Sequence, residues 1–262
     1  MKKEKKVNEG INFRLKDCRG VDFRGKNLNY ADFSDANLNR ANFEGAQLRG
    51  ANFHGANLRE ANLKGTFLLG ANFREACLED INFQEADMPN IDLCDTKLMG
   101  VNFSGANMKS ANLQWANCHR ANFENARLVQ ANLKHANLYR ANLKNAKLID
   151  SNLEGAHLRN VDLSNADLQS VNLLNADLTG ANLVGADIDS AAWPLSFGSL
   201  NISADEVIFT QLLYHALTID CSKSKELLKI KAVRDIANSY CHAKSEIVGR
   251  VLRKEYYKEL KG

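Results

Sequence analysis

Residues 41–55 read ANFEG-AQLRG-ANFHG, which is one five-residue pattern written three times. The centre of each unit is a large apolar residue, the residue two before it is Ala, and the residue just before it is polar. Followed outward in both directions, the same register holds from residue 11 to residue 190 without an insertion. A period of five fits neither the alternation of a strand nor the 3.6-residue turn of an α-helix, so the pattern predicts a repeat architecture.

Two positions of the unit form the predicted interior. All 36 centres from Phe13 to Ile188 are Leu, Phe, Met, Ile or Cys, and Ala stands two before the centre in 24 of the 36 units. The other three positions are expected to face water. Within the repeat, Gly occurs only at the last place of a unit, and Asn or Asp usually precede the centre; both residue types suit turns. We therefore expect a chain that turns once per unit and pairs its coils through backbone amides about 4.8 Å apart.

Units 31–35 (ADFSD) and 61–65 (ANLKG) resemble the consensus A(D/N)Lxx of the pentapeptide repeat family. The resemblance implies a right-handed quadrilateral β-helix with four units in each coil. The expected fold is thus an all-β solenoid of about nine coils, roughly 43 Å long, followed by a small C-terminal α-helical module. The predicted domains are a basic N-terminal tail (1–10), the β-helix (11–190), and a linker with a three-helix module for capping or oligomerisation (191–262).

A ten-residue modulation lies on top of the repeat. Phe centres occur only at positions ending in 3, from Phe13 to Phe123, which predicts that rings fill the interior from two opposite faces. The later centres are Leu apart from Ile188, so the C-terminal half is expected to be narrower or differently turned. Lys16 and Lys26 occupy the small inward position of the first coil and are interpreted as protection of an open edge.

The last seventy residues predict helices. Ser203–Glu206 is a capping box that opens a helix to about Leu217, and two more helices are expected at 225–240 and 245–260. Trp193 is placed to cover the last coil. Three helices can cap the rod and leave one face for a homodimer or for another partner.

The composition excludes several classes of protein. Formal net charge is +3 and charged residues are 25% of the chain, which is neither the excess of a nucleic-acid-binding protein nor that of an acidic DNA mimic. No apolar stretch of membrane-spanning length occurs, and the charged start leads into no signal sequence. The six cysteines form no CxxC pair, so free thiols and a cytoplasmic location are expected. Cys18 and Cys118 sit at core centres, whereas Cys77 and Cys94 sit outside.

No phosphate loop, nucleophile elbow or metal signature is present, so we expect no catalytic, cofactor or metal site. His54, His119, His135 and His157 fall on outward positions and are interpreted as surface residues. His215 and His242 lie in the helical part and complete no recognisable catalytic set. The chain is therefore not expected to be an enzyme.

Residues twenty apart should lie side by side, so the sequence gives a surface map. One column is unusually apolar, and it marks either a contact surface or drift of the repeat; its candidate residues are Phe67, Leu69, Pro89, Val129 and Ile149. The units from Thr66 to Lys97 are the least regular and are interpreted as a local bulge. A second, basic patch could hold phosphate or nucleic acid, but plain surface is favoured because acidic residues dilute it; its residues are His119, Arg120, Tyr139, Arg140 and Arg159.

The leading functional hypothesis is a non-enzymatic interaction scaffold for a protein partner. The alternative comes from the family: one branch mimics DNA, binds DNA gyrase and confers quinolone protection. Such a mimic should be strongly acidic, whereas residues 11–190 hold 19 Lys and Arg against 21 Asp and Glu. Nucleic acid and membrane are not expected as partners.

Overall fold

The computed structural model describes residues 11–188 and Ala191. The predicted N-terminal tail, the cover by Trp193 and the three-helix module all lie outside the described residues, as do His215 and His242. In the described part, each unit contributes one bridge residue just before the centre and a two-residue turn after it. The bridges are parallel and join residues twenty apart, from Asn12–Asp32 to Asp167–Asp187. The result is eight full coils over 11–170 and most of a ninth over 171–188, with no helix among the described residues.

The coil is square, with one unit on each side. We name each wall by its first centre: wall 1 begins at Phe13, wall 2 at Cys18, wall 3 at Phe23 and wall 4 at Leu28, and each wall continues at twenty-residue intervals. Corner 2/3 is then the two columns 19–179 and 20–180, and corner 4/1 is the columns 29–169 and 30–170. Side chains in one column are neighbours along the rod, about 4.8 Å apart.

The same turn closes every corner. The last residue of each unit from Leu15 to Gly185 has φ between +54° and +72°. A positive φ at the third place of the turn is the requirement of a type II turn. Of the two alternatives expected for the C-terminal half, a different turn is wrong, since the positive φ is unchanged after Phe123. A narrower coil stays a prediction. The unit length and the inward pair of residues fix the corner, and a smaller centre does not alter it.

The interior is filled as the ten-residue modulation predicts. On wall 1, Phe33 stacks on Phe53 with ring centroids 5.0 Å apart and planes 1° apart. Across the core, Phe33 meets Phe43 of wall 3 edge-on, at 5.4 Å and 90°. Each ring from Phe13 to Phe83 therefore has an aromatic neighbour along its own wall and another on the opposite wall, a geometry that aromatic pairs prefer, whereas Phe103 and Phe123 stack only along wall 3. Beyond Phe123, leucines of all four walls remain fully buried.

Asparagine before the centre has two roles. Its side-chain oxygen accepts the N–H of the residue after the centre, as Asn102 does from Ser104 at 3.1 Å. Its amide nitrogen donates to the Asn twenty residues earlier, as Asn102 does to Asn82 at 3.1 Å. The first role matches the predicted turn chemistry. The second produces a continuous ladder on wall 3 from Asn42 to Asn142.

The small position sets how tightly a corner closes. Its N–H donates to the preceding centre's carbonyl at 2.8–3.1 Å where the residue is Ala between 31 and 186. Where a β-branched residue occupies the small position and its N–H makes this bond, the bond is longer, at 3.2–3.4 Å. These residues are Val21, Thr66, Ile81, Ile91, Val101, Val161 and Val171. A β-branched side chain therefore spreads its corner.

An opened seam separates coils 4 and 5 on walls 1 and 2. No backbone hydrogen bond joins residues 69–80 to residues 89–99, whereas every other pair of successive described coils is joined there. The bridges expected for Asn72 and Cys77 with the next coil are missing as well. At this seam, the β-branched residues Ile91 and Thr96 take the small positions directly opposite Ala71 and Ala76. The irregular region was correctly located, but it is a spread seam without the inserted residue of a bulge.

The first coil exposes its edge. Lys16 and Lys26 occupy small positions but are exposed, and Ile11 and Val21 in the same places are 53% and 38% exposed. Phe13 is only partly buried. Charged residues at an exposed edge disfavour pairing with another sheet. Protection of this edge by Lys16 and Lys26 stays a prediction.

Candidate functional site

The apolar column lies along corner 4/1. Leu69, Pro89, Val129 and Ile149 all occupy the first turn position there, whereas Phe67 stands on the adjoining face of wall 4. The sequence interpretation placed them all on a wall, so that part is corrected: four of them form a ridge. Phe67 is 53% exposed and Leu69 is 41% exposed, while the other three are half-buried.

The ridge has two parts, because Lys109 stands between Pro89 and Val129. Phe67, Leu69 and Pro89 form one cluster next to the opened seam. Pro fits the second place of a type II turn, since its φ is already set.

Free backbone donors accompany these side chains. In a regular unit, the Asn or Asp before the centre accepts a hydrogen bond from the N–H two residues later. Two residues before Leu69, Val129 and Ile149 stand Phe67, Arg127 and Lys147, which have no side-chain oxygen to accept that bond. Among the described residues, the N–H groups of Leu69, Val129 and Ile149 therefore have no hydrogen-bond partner. The ridge thus offers apolar surface together with unpaired peptide N–H groups.

The basic patch is brought together at corner 2/3. The His119 and Tyr139 rings stack at 5.2 Å, and the Arg140 guanidinium lies 5.1 Å from the Tyr139 ring centroid. Arg159 is engaged with Asp177 at 3.8 Å. Within the described chain, Arg120 and Arg140 have no acidic partner in ion-pair range. The patch is therefore a real cluster with two unneutralised guanidinium groups.

Sequence reasoning missed two exposed residues, Trp115 and Met99. Trp115 is 55% exposed and stacks on His135 of the next coil at 4.2 Å along corner 1/2. Met99 is 49% exposed, one coil before His119 in the same column. The signal was available, since each is an outward aromatic or apolar residue one twenty-residue step from another large side chain.

The described chain offers little for catalysis. No group of His, Cys, Asp and Glu in the described ranges could hold a metal ion. Burial raises the pKa of the Cys118 thiol to about 12, and burial also raises the pKa of Cys18 and Cys94, so these thiols stay protonated. Cys18 and Cys118 are buried and Cys77 and Cys94 are exposed, as predicted. A shallow surface depression is lined by the Asp17 carboxylate and by the guanidinium groups of Arg19 and Arg40, with no Ser, Thr or Cys side chain to act as a nucleophile.

The described part of the chain contains no helix of the length and apolar character needed to cross a bilayer.

Solved structures share this architecture. HetL of the cyanobacterium Nostoc, a pentapeptide repeat protein involved in regulating heterocyst differentiation, is 28% identical over 70% of this chain and 87% of its own, with a TM-score of 0.41. A trypsin-treated form of QnrB1, a plasmid-mediated fluoroquinolone resistance protein, is 17% identical over 79% of this chain and 94% of its own, with a TM-score of 0.53. A thylakoid-lumen pentapeptide repeat protein of Arabidopsis thaliana is 29% identical over 53% of this chain and 69% of its own, with a TM-score of 0.24. No match was found among curated protein sequences.

The sequence profile of pentapeptide repeats matches residues 17–55, 51–88, 76–114, 116–155 and 156–191. These segments cover well over half of the chain and coincide with the walls and corners described above. The chain belongs to the pentapeptide repeat family.

Proposed function

We propose that this chain is a non-enzymatic scaffold that binds a protein partner through the ridge of corner 4/1. The observation that carries the proposal is the exposed cluster of Phe67, Leu69 and Pro89. Most other units place Asn, Asp or a charged residue where this cluster presents an aromatic ring and an aliphatic side chain. An apolar surface rimmed by polar residues is typical of a protein contact.

The chemistry of the ridge supports a peptide ligand. The unpaired N–H groups of Leu69, Val129 and Ile149 can donate to carbonyl oxygens of a partner, while the side chains bury apolar surface. The stack of coils already holds these groups in place, so they lose little conformational entropy when the partner binds.

A matched pair of substitutions tests the proposal. Leu69→Glu places a charge in the cluster, and Val184→Glu places the same charge at the same turn position of corner 3/4; Leu69 is 41% exposed and Val184 is 44% exposed. Using the full chain as bait, we expect Leu69→Glu to lose a captured protein that wild type and Val184→Glu retain. Equal capture by all three proteins would show that the ridge is not the contact surface.

The gyrase alternative predicts a different result. Purified wild-type chain should then inhibit supercoiling by DNA gyrase or protect the enzyme from a quinolone. The near-balance of charge over residues 11–190 argues against it, because a DNA mimic depends on strong negative potential. A supercoiling assay with and without the quinolone separates the two hypotheses.

A further inference from the structure

Charge is divided along corner 2/3 in a way that no other corner of the described rod repeats. Coils 3 and 4 carry three acidic residues on this corner, Glu60, Glu79 and Asp80, against the single basic residue Arg59. Coils 6 and 7 carry Arg120 and Arg140, preceded by His119 and Tyr139. Between the two halves, coil 5 presents Met99 and Gly100, which are uncharged.

The division is symmetric about coil 5. Asp80 stands one coil before Gly100 and Arg120 one coil after it, in the same column. Glu60 and Arg140 stand two coils before and after. In the neighbouring column, centred on Met99, the residues one coil away are Glu79 and His119, and those two coils away are Arg59 and Tyr139.

A two-fold axis through coil 5, perpendicular to the rod, would place this corner against itself in antiparallel orientation. Such an operation pairs each position with the one at equal distance on the other side of coil 5. Asp80 of one copy then faces Arg120 of the other, Glu60 faces Arg140, and Glu79 faces His119. Arg59 faces the Tyr139 ring, an arrangement that cation–π attraction favours.

We propose that corner 2/3 is a self-complementary surface whose partner is a second copy of this chain, bound side by side and antiparallel. The centre of the contact is Met99 against Met99, which is 49% exposed in the single chain. Gly100 beside it has no side chain to block the approach. This surface is on the corner opposite the ridge of corner 4/1, and it uses no residue of the predicted C-terminal module.

The key residues are available for such a contact. Asp80 and Arg120 are exposed and make no ion pair within the described part of the chain. The Asp80 carboxylate leans toward the centre, with Oδ1 3.8 Å from the point where a Cβ of Gly100 would stand. Glu60 already binds Arg40 at 2.8 Å, and Arg59 lies 3.7 Å from Glu60 and 4.0 Å from Glu79. Asp80 and Arg120 are therefore the pair whose charges the described chain leaves unmatched and a second copy would match.

The expected dimer is weak and sensitive to salt. A contact along one corner from coil 3 to coil 7 extends roughly 19 Å, which is small for a protein interface. Exposed charge pairs are screened strongly by salt. Dimer formation should therefore be measured at high protein concentration, at low and at high ionic strength.

A charge reversal tests the pairing. The full chain is compared by sedimentation equilibrium with Asp80→Arg, with Arg120→Asp and with the double variant that carries both. We expect each single variant to weaken the dimer by more than about tenfold, because the two-fold axis repeats every repulsion. The double variant reverses both members of the pair and should restore the dimer.

Asp95→Arg is the matched control. Asp95 is on corner 1/2 at the same turn position as Asp80, with φ +57° against +55°, so it reports any cost of Arg in this conformation. It should leave the dimer unchanged, and circular dichroism should show the same fold for every variant. A wild-type chain that stays monomeric at low ionic strength would overturn the proposal. So would a dimer that ignores both single changes, which would direct attention to residues 191–262, or a folded double variant that fails to recover.

A cross-link locates the axis independently. The test uses Met99→Cys in a chain whose Cys77, Cys94, Cys221 and Cys241 are replaced by serine, while the buried Cys18 and Cys118 are kept. This variant should form a disulfide-linked dimer on mild oxidation. Val184→Cys, on another corner, should not. Equal cross-linking at the two positions would show collision without a specific interface.

Discussion

The buried hydroxyl of Ser151 lowers the stability of the rod. Ser151 occupies a small inward position and is 1% exposed, and its Oγ has no hydrogen-bond partner. An unpartnered buried polar group costs about 1–3 kcal/mol, whereas Ala at this place loses only one atom of packing. We therefore expect Ser151→Ala to stabilise the rod by about 1–2 kcal/mol. For a domain of this size that raises Tm by about 2–4 °C for each kcal/mol.

Thr66 supplies the contrast. Its hydroxyl, equally buried at a small position, donates to the Leu63 carbonyl at 2.7 Å. Thr66→Val keeps the shape but deletes that bond, and should cost about 1 kcal/mol. Urea unfolding followed by circular dichroism measures both variants. If Ser151→Ala proves no more stable than wild type while Thr66→Val is weakened, the Ser151 hydroxyl has a partner and the reasoning is refuted.

Three further predictions concern the corners, the seam and pH. Gly155→Ala should lower the free energy of unfolding more than Gly65→Ala, as measured by urea unfolding. Both glycines have positive φ, so both substitutions strain the backbone. A Cβ at 155 would also stand 2.6 Å from His135 Cε1, whereas a Cβ at 65 would meet no atom within 4 Å. Hydrogen exchange should be faster at the amides along the opened seam than at the equivalent amides one coil earlier, and equal rates would contradict the seam. The fast set is Gly70, Phe73, Glu75, Leu78 and Asp80. The hydrogen bonds from Arg24 lower the pKa of Asp22 to about 2. The ionised Asp22 therefore stabilises the folded rod fully above the ordinary carboxyl pKa, and this contribution is lost as pH falls through about 2. The difference in Tm between wild type and Asp22→Asn should close between about pH 5 and pH 2.

The fold was readable because the repeat specifies it many times over. Each unit states which residues point inward, and thirty-six agreeing units leave no competing register. The Phe stacks followed from the same arithmetic, since positions ending in 3 can lie only on walls 1 and 3. The type of turn did not follow. Gly is absent from many corners that have positive φ, such as that of Trp115, so the sequence of one unit does not reveal that all corners are alike.

The seam shows where single-residue reasoning falls short. Thr66, Ile81, Ile91 and Thr96 are each acceptable inward residues, and the sequence marked their region only as irregular. A β-branched residue opposite an alanine does not by itself separate two coils, since Thr66 faces Ala86 and Ile81 faces Ala61 with the backbone bonds intact. The seam lies instead where β-branched residues fill consecutive small positions, at Ile91 and Thr96, which is a property of neighbouring units and not of one residue.

The candidate surfaces illustrate the same limit. The basic patch was identified as a cluster and then set aside because acidic residues elsewhere dilute it. Its position gives those acidic residues a different meaning: Glu60, Glu79 and Asp80 are not scattered but occupy the same corner, on the opposite side of Met99. In a solenoid, each column is a line of side chains at constant spacing, so the order of charges along it matters more than their sum. A near-neutral rod can therefore carry a strongly directional surface, and antiparallel pairing is the arrangement that satisfies both halves of corner 2/3 together.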